Sequence, residues 1–176
     1  MEFSLYGLMI AVFIFLIWFW NSLYVIKEWE RGVVLRRVDA GDWRPEPSLP
    51  TLSDLEAVRA IDDTRVFAVG GNGTVIERQA DGGWLLHPVF TTQDLTSIWA
   101  SGPNDVWVGA WRGELWHYDG ANWAQEQPPG IDPTMDIFSI WGWGTTDLFL
   151  VANADDQVHS YGAQFDGGFV FHYLRH

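Results

Sequence analysis

The chain has no cysteine. That removes disulfides, thiol catalysis, thiolate metal sites and covalent haem attachment, and it leaves no sign of an oxidising compartment. Lysine is almost as scarce. Lys27 is the last one, so no Schiff-base or phosphate-clamping lysine exists beyond it. The G-x-S-x-G elbow, a Gly-rich loop closed by Lys, and H-E-x-x-H are all missing. Positive charge is short as well: beyond residue 37, six Arg stand against 20 carboxylates, and 6 − 20 leaves −14. An acidic surface repels phosphate backbones, so nucleic acid is not expected as a partner; the carboxylates keep an aromatic-rich domain soluble.

Apolar residues are plentiful. At 176 residues and 48% hydrophobic content, the chain can bury a core as one small domain with room for an anchor. From Phe3 to Ile26 no residue is charged. At about 1.5 Å per helical residue that run reaches roughly 36 Å, enough for a hydrocarbon core of about 30 Å. Trp18, Trp20 and Tyr24 gather near one end and Tyr6 near the other, where interfacial aromatics sit. A cleaved signal peptide would need a basic start and a small-residue cleavage site; Glu2 follows Met1, and no such site follows the run. The expectation is a retained transmembrane helix over residues 1–26, in contact with the lipid bilayer. Lys27, Arg31, Arg36 and Arg37 all follow it and none precedes it, which predicts a cytoplasmic C-terminal domain on a bacterial inner membrane.

Residues 27–51 read as a juxtamembrane segment and Pro-rich connector. Within them Glu28, Glu30, Arg31, Gly32, Val33, Val34 and Arg36 resemble the stretch that follows the membrane segment of stomatin/prohibitin-like proteins. The glycine expected after the last arginine is replaced by Arg37-Val38-Asp39, and nothing beyond Gly41 continues the likeness. The resemblance implies a shared way of leaving the membrane, ending in a first strand.

Residues 52–176 are periodic. Val58, Val66-Phe67 and Asp81-Gly82 recur about 40 positions later as Ile98, Val106-Trp107 and Asp119-Gly120. Ile140-Trp141 and Leu148-Phe149 repeat Ile98-Trp99 and Val106-Trp107 at a shift of 42, and the later half of that third copy is longer and looser. Within the middle copy the pattern predicts strands over Leu95–Ala100, Asp105–Trp111, Glu114–Tyr118 and Trp123–Gln127. Gly102-Pro103-Asn104-Asp105, Arg112-Gly113 and Asp119-Gly120-Ala121-Asn122 separate them as turns. In the first copy Asn72-Gly73 occupies the place of Arg112-Gly113, the pair favoured where both central residues need positive φ. Four short strands recurring every 40-odd residues are the mark of a propeller blade. The units resemble bacterial propeller repeats, related to kelch and WD blades, through Ser101, Asn104-Asp105-Val106-Trp107-Val108, Tyr118-Asp119-Gly120 and Trp123. The expected fold is all-β and propeller-like, with about three four-stranded blades in an incomplete ring, preceded by one N-terminal transmembrane α-helix. Closed propellers use about four to eight blades, so three leave open edges: the sheets pack as a compact non-closed domain with Pro and charge blocking those edges, copies of the chain complete a ring, or, the favoured reading, a partner protein covers the open side.

Catalytic and metal chemistry find little support. His172 and His176 are four apart on a stretch that reads as strand, where that spacing does not converge on a metal. His117, between Trp116 and Tyr118, reads as a packed or surface residue. Asp62-Asp63 and Asp155-Asp156 lie in turns, where aspartate caps its own backbone, and the latter lacks the ligand spacing of a calcium loop. No catalytic, cofactor or metal residue is assigned, and no enzyme activity is expected. Trp99, Trp107, Trp123 and Trp141 recur between copies and read as core. Trp111, Trp116 and Trp143 recur less clearly and, with Trp18 and Trp20, are the candidate partner contacts.

These readings predict a membrane-anchored accessory or structural subunit without catalytic activity. It would stabilise a larger integral membrane complex, respiratory or photosynthetic, by contacting that complex's subunits. A tethered sensor that binds glycans or small ligands is the alternative. A stomatin-like membrane-organising protein is the second.

Overall fold

The computed structural model describes residues 33–38, 41–144, 146–154 and 169–174. The transmembrane expectation for residues 3–26 lies outside them, as do Trp18, Trp20, Lys27 and Arg31. Among the described residues no helix is long and apolar enough to cross a membrane.

Apart from two 3-10 turns, Gly71–Gly73 and Trp111–Gly113, the regular structure among the described residues is antiparallel sheet. A hairpin, β1 (Leu35–Val38) and β2 (Asp42–Pro45), comes first. The first blade follows: β3 (Leu55–Ala60), β4 (Val66–Gly70), β5 (Thr74–Arg78) and β6 (Trp84–Leu86), hydrogen-bonded in chain order. The middle blade repeats that order with β7 (Leu95–Gly102), β8 (Asp105–Ala110), β9 (Leu115–Tyr118) and β10 (Trp123–Glu126). The third has three strands among the described residues: β11 (Met135–Gly142), β12 (Asp147–Ala154) and β13 (Phe169–Leu174). β7 touches both β3 and β11, so the blades sit side by side with first strands adjacent, as in a propeller.

Two cores lie between the blades. Phe67, Val69 and Val75 of the first meet Leu95, Val106, Val108 and Ala110 of the middle one. Trp99, Trp107 and Leu115 of the middle blade meet Ile137, Ile140, Leu148 and Leu150 of the third. Strand β8 explains the burial pattern. Its even positions, Val106 and Val108, serve one core and Trp107 the other, so every residue of Asp105–Ala110 is buried. A central strand with both faces covered loses the alternation of a half-exposed one.

The hairpin turns fix how closely blades approach. Asn72 (φ 56) with Gly73 (φ 67), and Arg112 (φ 60) with Gly113 (φ 69), both place two residues in the left-handed region. A Cβ on Gly73 would stand 2.0 Å from the Thr91 carbonyl oxygen, and one on Gly113 2.4 Å from that of Asp132. Each tip therefore presses on the loop that leads into the next blade. There the Asn72 amide donates to Asp94 Oδ1 at 2.8 Å and the Arg112 amide to Asp136 Oδ1 at 2.9 Å.

The β1–β2 hairpin is clasped to the first blade by Glu46. The buried carboxylate takes Arg36 Nε at 2.8 Å and Arg78 Nε at 3.5 Å, and accepts a hydrogen bond from Trp84 Nε1 at 3.3 Å. Val33, Val34 and Leu35 line a cleft with Leu55, Ala57, Val58 and Ala68 on the same side of that blade.

One core expectation fails. Trp99 and Trp107 are buried and Trp123 is half-buried, but Trp141 is 47% exposed. It occupies the position of Trp99 in the last blade, and no blade among the described residues follows to cover it.

Candidate interaction surface

Each blade carries one cross-strand trio on the same face, the one that in the first two blades turns toward the next. In the middle blade Trp107 pairs across β8 and β9 with His117, whose Nε2 lies 2.8 Å from Asp105 Oδ1. In the third blade Phe149 pairs with His172, whose Nε2 lies 2.6 Å from Asp147 Oδ1. In the first, Phe67 pairs with Glu77, which meets Arg65 Nε at 4.0 Å, the charges exchanged between strands. The aromatic ring packs on its partner: Trp107 and His117 have centroids 4.3 Å apart, Phe149 and His172 4.5 Å. The sequence reading took His117 as bland packing and missed the trio. Its signal was a charged residue two positions before each recurring aromatic.

The middle trio is the most elaborate. Asp105 Oδ1 also accepts from Trp107 Nε1 at 3.0 Å, and Ser101 Oγ donates to Asp105 Oδ2. Serine, aspartate and histidine meet here, but in the wrong order for nucleophilic catalysis. The carboxylate stands between hydroxyl and imidazole, so no imidazole faces the serine as it does in a Ser-His-Asp triad. Among the described residues no cluster of three or more His, Asp or Glu could hold a metal.

A second aromatic group fills the outer seam between the first and middle blades. Phe90 stacks on Trp123 (centroids 4.6 Å) and leans on Trp116 (4.7 Å), while Trp123 stacks on Tyr118 (5.0 Å). Burial, with the charges of Glu77 and Asp119 behind it, pushes the Tyr118 hydroxyl above its ordinary pKa. At the turns Asp62, Asp119 and Asp132 cap nearby groups. Asp62 takes the Thr64 hydroxyl and the Thr64 and Arg65 amides, which lower its pKa.

The predicted contact residues do not converge on one spot. Trp111 is exposed on the β8–β9 turn, its amide on the Asp94 carbonyl at 3.1 Å. Trp116 is half-buried in the seam, with Nε1 on Glu114 Oε2 at 2.9 Å. Trp143 is the most exposed of the three and stands edge-on to Trp141 at 4.5 Å. It lies at the β11–β12 turn, the opposite end of a blade from the turn that carries Trp111. Of the juxtamembrane cations, Arg36 belongs to the Glu46 clasp and Arg37 pairs across the hairpin with Trp43.

An apolar surface on the third blade was not predicted. Among the described residues Trp141, Phe149, Val151, Val170 and Leu174 share one face there. Its charged members, Asp147 and His172, are bonded to each other.

Blades of this order, joined first strand to first strand, decide the comparison with solved structures. The chain has the fold of YCF48. One structure, YCF48 from Cyanidioschyzon merolae, superposes with a TM-score of 0.58 at 16% identity, over 72% of this chain and 43% of the other. A second, YCF48 bound to D1 peptide, gives 0.62 at 17% identity, over 84% of this chain and 46% of the other. The chain thus spans less than half the length of the YCF48 chains it matches. Identity this low establishes a shared fold and no shared activity. No protein-family model and no curated protein matches the chain, and the stomatin/prohibitin resemblance finds no support among the YCF48 structures.

Proposed function

We propose that this chain is a non-catalytic accessory subunit that stabilises a larger integral membrane complex, of respiratory or photosynthetic type. A single N-terminal helix over residues 3–26 tethers it to a bacterial cytoplasmic membrane, with the β head on the cytoplasmic side. The head contacts a subunit of the complex through protein surface rather than through a reactive centre.

One observation carries this reading. The polar clusters of the head serve one another, as in Asp105 with His117 and Trp107, or Glu46 with Arg36 and Arg78. Two turns also project an exposed aromatic side chain outward: Trp111 and Trp143. Exposed Trp of this kind anchors protein interfaces. YCF48 with its D1 peptide offers an example of this fold holding a protein segment, which supports the reading.

Native membranes solubilised in mild detergent test it. The expected result is that the chain migrates with a large complex at fixed stoichiometry and that Trp111→Ser loosens the association. Free chain in every fraction would overturn the proposal.

A further inference from the structure

We propose that Asn72-Gly73, the tip of the β4–β5 hairpin, is a deamidation site that the fold holds shut, so that its conversion records opening of the seam between the first and middle blades. This goes beyond the accessory role and does not depend on it.

Of the asparagines in the chain, only Asn72 is followed by glycine. The reaction needs no enzyme. The Gly73 amide nitrogen gives up its proton and attacks the side-chain carbonyl carbon of Asn72. A C–N bond forms, the side-chain nitrogen leaves as ammonia, and a five-membered succinimide remains. Water then opens either carbonyl of that ring. One opening gives aspartate; the other gives isoaspartate, with the main chain rerouted through the side-chain carbon. Glycine at the next position favours the attack because no Cβ shields its nitrogen. In an unfolded chain nothing holds the pair apart, and asparagine counts among the thermally labile residues. Asn72 is exposed, so water reaches it in the folded chain as well.

The folded tip blocks the attack itself. Asn72 has φ 56° and ψ 38°. The ring closes only when the Gly73 nitrogen eclipses the Asn72 Cβ across the Cα–C bond, which for an L residue needs a strongly negative ψ. At ψ 38° the two stand nearly anti. The Gly73 amide is also engaged: it donates to the Gln93 carbonyl at 2.8 Å, so its proton is held. The Asn72 amide donates to Asp94 Oδ1 at 2.8 Å, which fixes the residue's orientation. Gly73 is buried against the Thr91 carbonyl, so the tip cannot turn into the reactive conformation in place. Thr91, Gln93 and Asp94 all belong to the segment that leads into β7. The lock is therefore the contact between the first and middle blades, and the reaction waits on its opening. The equivalent tip of the middle blade has the same backbone, with Arg112 at φ 60° and ψ 30°, but no side-chain amide to lose. Either product marks the seam. Aspartate puts a charge on the residue whose amide Asp94 holds, and like charges repel. Isoaspartate adds a main-chain atom to a tight turn and so breaks the register that sets Gly70 opposite Thr74.

The full chain in mild detergent is held at neutral pH and physiological temperature, native or in strong urea, and peptide mapping counts the asparaginyl, aspartyl and isoaspartyl forms over time. The expected result is conversion at least about tenfold slower in the native chain than in urea. Asn72→Gln, whose longer side chain closes a less favoured six-membered ring, removes the signal in both. Asp94→Ala frees the Asn72 amide; it speeds native conversion about threefold or more and leaves the rate in urea unchanged. If that variant does not fold, sub-denaturing urea on the parent chain decides. Hydrogen exchange of the Gly73 amide and conversion at Asn72 then accelerate by the same factor, since one opening exposes both. Equal conversion in the native and unfolded chain overturns the proposal. So does native conversion that ignores Asp94→Ala in a folded variant, or that accelerates apart from Gly73 exchange, because either result places the opening elsewhere than the seam.

Discussion

Trp107 Nε1 and His117 Nε2 converge on a single atom, Asp105 Oδ1, at 3.0 and 2.8 Å, and that convergence locks the second strand of the middle blade to the third. All three residues are buried. Asp105→Ala leaves an indole N–H and an imidazole without their acceptor, and we expect a loss of about 3 kcal/mol. The third blade supplies the contrast. Asp147 and His172 form the same bond part-exposed, where solvent screens it. Asp147→Ala should cost under about 1 kcal/mol. Denaturant titration of both variants checks the ratio.

Gly73 is required by its surroundings as well as by its φ. Gly73→Ala would drive a methyl group into the Thr91 carbonyl at 2.0 Å, backbone against backbone. A loss of about 2 kcal/mol or more is expected. Gly102→Ala, with nothing within 4 Å of the new atom, should change stability by less than about 0.5 kcal/mol. Thermal melts of the two proteins check the difference.

Glu46 is predicted to control the hairpin and little else. Glu46→Ala removes both ion pairs and the Trp84 bond. Amides of β1 and β2 should then exchange with deuterium at least about tenfold faster, with β8 unchanged. Equal acceleration in β8 would place Glu46 in the global core instead.

The turn aspartates predict an acid response. Asp62 is held below its ordinary value of 3.8 by the Thr64 hydroxyl and amide and by the Arg65 amide. Its folded pKa lies below the unfolded one, so its contribution is complete above about 3.8 and fades as pH falls through the folded value. Asp62→Asn should lower the melting temperature near neutrality and converge on the parent at the acid end. A constant offset across that range would show that charge plays no part.

Much of this architecture is legible in the sequence because turn chemistry is local. The middle blade was expected to begin its strands at Leu95, Asp105, Glu114 and Trp123, and they begin at Leu95, Asp105, Leu115 and Trp123. Asn72-Gly73 demands positive φ wherever it stands, and both residues have it. The hairpin over Leu35–Pro45 had its own local signal: Trp43 and Glu46 repeat Trp123 and Glu126 at a shift of 80, and β2 pairs like an outer strand. That echo is short, so the sequence alone reads the stretch as a connector rather than as paired strands.

The sequence by itself determined where strands start, where they turn, and which aromatic residues stand in equivalent positions, since each depends on residues a few places apart. Only the tertiary structure decided that equivalent positions have unequal fates. Trp99 and Trp141 fill the same slot, yet one is sealed and the other half open. Burial is a property of the neighbouring sheet, and that neighbour is present for the middle blade and not among the described residues for the last. The same holds for the pairing of Asp105 with His117: it spans two strands and a turn, and it exists only once β8 and β9 are in register.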